Sequence, residues 1–109
     1  MTPTVRNLLD QRPRDEGREE FQTLMKGASF RLESIYSGGQ SGDPDFWYDQ
    51  PHSEWVLLLK GTACLTFEGD GELLLRAGDY FTIPPRCRHR VHSTSLDAVW
   101  LALHEGAAE

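Results

Sequence analysis

The sequence predicts an all-β fold, either a sandwich or a closed barrel. Three observations carry that prediction. Strand-length apolar segments recur from Phe21 onward, Gly, Pro and Asp punctuate them at close spacing, and no helical apolar period appears after residue 20. Residues 1–19 are polar and dense in charge (Asp10, Arg12, Arg14, Asp15, Glu16, Arg18, Glu19) and read as an N-terminal arm; residues 20–109 read as the β domain. The first two strand candidates are 21–25 and 29–36, parted by Lys26-Gly27. In the second, Phe30, Leu32, Ser34 and Tyr36 alternate with Arg31, Glu33 and Ile35, so one face is mainly apolar. The stretch SGGQSGDPD is too rich in Gly, Ser, Asp and Pro for regular structure and forms a loop. Strands then follow at 54–60, 62–68, 72–76, 80–83, 88–94 and 98–104. Gly61, Asp70-Gly71 and Ala77-Gly78-Asp79 separate the first of them, and Asp70-Gly71 is a hairpin signal because its tight turn needs positive φ at both central residues.

The chain's 109 residues leave room for one domain. Hydrophobic residues make up 39% and charged residues 26%, which sets aside wholesale disorder. The longest apolar run, from Trp55 to Leu59, is strand-sized, so no membrane span is expected, and the first residues hold no apolar core of secretory length. A net charge of −6 is the wrong sign for a protein that gains affinity by neutralising phosphates, so nucleic acid is not an expected partner. Cys64 and Cys87 cannot form a C-x-x-C pair; with no leader sequence, a reducing cytoplasm and free thiols are the expectation.

Two strands are apolar on both faces: Trp55, Leu57 and Leu59 oppose Val56 and Leu58, and Val99, Leu101 and Leu103 oppose Ala98, Trp100 and Ala102. A second sheet would cover one face. A second copy of the chain is the expected cover for the other, because a monomer would expose a large apolar patch.

Polar side chains concentrate just before the apolar strand: Tyr48, Asp49, Gln50, His52 and Glu54 precede WVLLL. A carboxylate that opens an apolar strand must be paired, metal-bound or solvated. Strict alternation would put Gln50, His52 and Glu54 on one face, although Pro51 interrupts the ladder. His92 and His104 are assigned to surface or sheet. The Arg86-Arg88-Arg90 stripe suits either an anionic ligand or the balancing of acids.

Gly42, Tyr48, Gln50, Glu54 and Gly61 stand at the positions of the motif G-x5-H-x-H-x3–4-E-x6-G, with Tyr48 and Gln50 in its two histidine slots. Gly78, Pro84 and His89 match G-x5-P-x-G-x2-H-x3-N, with Arg86 in the place of its glycine and Ser93 in the place of its asparagine. Over roughly residues 28–104 the sequence therefore resembles the cupin superfamily, and in particular its small single-domain "cupin 2" members. That resemblance implies an antiparallel jelly-roll barrel with a pocket inside its mouth and a single divalent metal. It places Glu54 and His89 among the ligands with Gln50 as an auxiliary; His52 would complete a two-histidine, one-carboxylate set suited to Fe, Mn, Ni or Zn if the loop turned it inward. Tyr48 is the candidate proton donor, and Trp47, Arg86 and Trp100 are the candidate substrate contacts. No organic cofactor is expected. Two functions follow: a metal-assisted dioxygenase or isomerase acting on a small polar or anionic metabolite, or a metal-free binding module. The missing motif histidines favour the second.

Overall fold

The computed structural model describes residues 1–10, 19–39, 43 and 45–106. After a 3₁₀ turn at Leu8–Asp10, eight strands follow: β1 (Glu19–Lys26), β2 (Phe30–Ser37), β3 (Glu54–Lys60), β4 (Thr62–Phe67), β5 (Gly71–Arg76), β6 (Tyr80–Ile83), β7 (His89–Thr94) and β8 (Val99–Glu105). They form two sheets, β1-β2-β8-β3-β6 and β5-β4-β7, in which every pairing is antiparallel. This is a jelly roll, the all-β architecture expected from the sequence. No helix among the described residues is long and apolar enough to cross a membrane.

Alternation along each strand sends one set of side chains between the sheets. Val56 and Leu58 on β3, Trp100 and Ala102 on β8, Ile35 on β2, Ile83 on β6 and Ala63 and Leu65 on β4 make the core. The opposite face of the larger sheet carries Leu32, Trp55, Leu57, Leu101, Leu103 and Tyr80. Leu103 and Tyr80 are exposed there, and the Trp55 and Tyr80 rings lie 5.9 Å apart. The two-faced apolar strands are thus covered on one side by the smaller sheet.

Turn chemistry sets the connections. The β4–β5 hairpin forms where expected, but its tight turn centres on Glu68-Gly69: Asp70 N donates to Phe67 O at 3.1 Å and Gly69 takes φ 83°. Asp70 and Gly71 close the loop instead of forming its centre. Between β6 and β7, Cys87 N donates to Pro84 O at 3.3 Å around Pro85-Arg86. Arg86 is the non-glycine residue found at positive φ (60°) among the described residues, in the turn position where a glycine is usual. Gly42 of the first motif lies outside the described residues.

Candidate functional site

A cavity of about 470 Å³ opens between the sheets. Its apolar floor (Ile35, Val56, Leu65, Ile83, Val91, Trp100) is the core itself. Its polar wall is built from Glu19 on β1, Arg31 and Glu33 on β2, Glu54 on β3, His89 on β7, His104 on β8 and the segment carrying Tyr48 and Gln50. Strand alternation and strand order produce this set. Arg31, Glu33 and Ile35 share the inner face of β2, as Trp100 and His104 share that of β8, and register places Glu54 directly across from His104.

Tyr48 joins the wall through a backbone bridge to His89, in which each N–H donates to the other's C=O, at 2.7 and 3.1 Å. The Tyr48 and His89 rings stack with centroids 5.4 Å apart, and Phe67 covers the other side of His89 at 5.8 Å. Burial, followed by the charges of Glu19, Glu54 and Glu33, pushes the Tyr48 phenol up to about 12, so it stays a neutral O–H donor. Gln50 Nε2 donates to Glu54 Oε1 at 2.8 Å. His89 Nδ1 donates to the Cys87 carbonyl at 2.9 Å, because a carbonyl can only accept. The neutral ring then keeps its lone pair on Nε2.

A second pair occupies the wall. His104 Nε2 lies 2.7 Å from Glu33 Oε1, and both side chains are buried. The other His104 nitrogen, Nδ1, meets His52 Nε2 at 3.1 Å. Arg31 Nε stands 3.9 Å from Glu33 Oε2. The sequence assigned His104 to sheet or surface. It does lie on a strand, but on the inward face, two residues from Ala102 and four from Trp100, and its partners are 71 and 52 residues distant. The charged Glu33 in mid-strand was the available signal.

Of the residues singled out by sequence, Tyr48, Gln50, Glu54, His89 and Trp100 line the cavity; His52, Trp47 and Arg86 do not. The chain bends at Pro51-His52, which breaks the alternation that would have aligned His52 with Gln50 and Glu54 and sends its ring against His104 from outside. Trp47 takes the opposite face from Tyr48, where the guanidinium groups of Arg88 and Arg90 lie 5.7 and 5.3 Å from its ring centre. Arg86 projects from its turn, largely exposed and 3.5 Å from Asp49, while Arg88 pairs with Glu68 at 2.8 Å. The arginine stripe therefore serves surface acids and one tryptophan. The Trp100 indole is anchored by donating to Ser37 Oγ at 3.1 Å.

A jelly roll with a polar-walled cavity between its sheets is a barrel with room for a small molecule. Residues 32–104 match the family model described as a cupin domain. The chain belongs to the cupin superfamily. It is 40% identical to a Ralstonia eutropha JMP134 protein provisionally called a mannose-6-phosphate isomerase; the match covers 96% of this chain and 100% of that one, with a TM-score of 0.87. An RmlC-like cupin from Desulfovibrio desulfuricans (19% identity, 95% and 97% coverage, TM-score 0.74) and KdgF from a Halomonas species (15%, 89% and 87%, 0.71) share the fold. Comparison with curated proteins finds no match.

Cupins commonly bind a divalent metal. The donor set here does not fit one: a phenol and an amide stand where the motif has imidazoles, and the amide nitrogen is turned to the carboxylate. Among the described residues, no three His, Cys, Asp or Glu side chains form a group able to hold a metal ion.

Proposed function

We propose that the chain is a small-molecule-binding cupin whose cavity takes up a polar metabolite without a resident transition metal. The Gln50–Glu54 hydrogen bond at 2.8 Å carries this reading: the carboxylate that the family motif offers to a metal is held by a neighbouring amide instead. The test is elemental analysis of untagged protein with melting curves in chelator and in added Fe, Mn, Ni and Zn. Flat melting temperatures and sub-stoichiometric metal are expected. Near-stoichiometric metal, with a melting temperature lowered by chelator, would overturn the reading, since a ligand bound only to the native state stabilises it.

A second reading is acid–base isomerisation, supported by the Glu33–His104 pair on the cavity wall and by the 40% identical relative. Glu33 would move a proton between adjacent carbons, with His104 fixing its carboxylate and Tyr48 donating to the substrate's carbonyl oxygen. Deuterium uptake from D2O into an aldose or ketose, abolished in Glu33→Gln, is the outcome that would establish it. The apolar outer face of the larger sheet supports a homodimer, which sedimentation velocity of wild type and Leu103→Glu would test: the variant should run as a monomer. The two free cysteines support a reducing, cytoplasmic setting.

A further inference from the structure

We infer that the cavity binds a small organic cation carrying N–H donors, such as an alkylammonium group, seated where other cupins hold a metal ion. The inference rests on the metal-free reading above and names the ligand class it left open. Three features of the cavity point the same way.

The first is charge. Among the described lining residues, Glu33 and Glu54 share one guanidinium, that of Arg31, so these three side chains carry a formal excess of one negative charge. A partly closed, low-dielectric space strengthens that field and repels an anion. The arginines that might have offset it, Arg86, Arg88 and Arg90, lie outside the cavity lining.

The second is the chemistry of the unused polar atoms. Glu33 is engaged by His104 and Arg31. Glu54 is only 8% exposed, yet its Oε2 takes no hydrogen bond among the described residues, because Gln50 reaches only Oε1. His89 is 6% exposed, and with Nδ1 committed to the Cys87 carbonyl its Nε2 lone pair has no partner among the described residues. Both atoms are acceptors on side chains that line the cavity, so a ligand that donates can take the place of the water they would otherwise bind. An ammonium supplies three donors and a positive charge.

The third is the apolar surround. Phe21, Tyr48 and Trp100 line the cavity beside the aliphatic floor and can cover the carbon body of such a ligand, and aromatic rings attract cations. An anionic head group meets neither the charge nor the acceptors of this wall.

The test uses one carbon skeleton with three head groups: cyclohexylmethylamine, cyclohexylmethanol and cyclohexanecarboxylate, titrated at millimolar concentration into the full-length protein by calorimetry. The amine is expected to bind at least tenfold more tightly than the alcohol, with an affinity that falls as salt rises, and the carboxylate is expected not to bind. Glu54→Gln, which keeps the Gln50 contact and the side-chain shape, should weaken the amine about tenfold and leave the alcohol unchanged. Equal or tighter binding of the carboxylate overturns the inference, as does failure of the amine to bind. Either result leaves the metal-free reading intact as long as metals stay unbound. Stoichiometric Zn or Mn binding that displaces the amine would instead overturn both. The head-group series on wild-type protein decides the matter even if Glu54→Gln fails to fold.

Discussion

Replacing His104 with leucine tests whether the Glu33–His104 contact acts as one buried unit. The two side chains keep only 8% and 10% of their surface exposed, so solvent screens the 2.7 Å contact little. His104→Leu leaves the Glu33 carboxylate with Arg31 Nε at 3.9 Å as its cationic neighbour among the described residues, which should cost about 3 kcal/mol, the lower end for breaking a buried pair. Glu33→Leu leaves an imidazole N–H without its acceptor and should cost about 2 kcal/mol. In the double variant neither orphan exists, and apolar groups of similar size fill the wall. Its loss should therefore fall short of the summed single losses by about 2 kcal/mol or more. Urea unfolding followed by tryptophan fluorescence measures all four corners of the cycle, with constant m-values confirming that the transition stays two-state. Additivity to within about 0.5 kcal/mol would refute the idea that these residues act together.

Two further outcomes follow from the same structure. Because the Tyr48 phenol is held at about 12 in the fold against 10.0 for the free group, the native state keeps a proton that the unfolded chain loses. Its contribution is fully present below pH 10 and is lost as pH rises towards 12. Tyr48→Phe should remove that segment of the stability-pH curve and a tyrosine absorbance step near pH 12; an unchanged titration would contradict the assignment. The two glycine slots of the family motifs should respond in opposite ways. Gly61 sits at φ 87°, and a Cβ there would lie 2.9 Å from Ala98 Cα, so Gly61→Ala should destabilise by about 2 kcal/mol. Arg86 already strains at φ 60°, so thermal melts of Arg86→Gly should show a gain of up to about 1 kcal/mol. A loss of stability in Arg86→Gly would mean that its 3.5 Å contact with Asp49 outweighs the backbone strain.

The strands were legible in the sequence because side-chain alternation and turn residues are local properties, and the motif resemblance marked Tyr48, Gln50, Glu54 and His89, which line the cavity. Motif spacing marked Gly61 between β3 and β4, and its positive φ is the physical reason for a glycine there. Three matters needed the tertiary structure. Alternation fixes faces only while the chain stays extended, and the bend at Pro51 turned His52 out of line with its neighbours. The backbone bridge between Tyr48 and His89 decided the parity of its segment, placing Trp47 and the arginines on the outside. The strand order β2-β8-β3 brought Glu33, His104 and Glu54 onto one wall. Which strands become neighbours is settled by packing two whole sheets together, so the sequence determined what each strand offers and only the assembled sheets decided which offers meet.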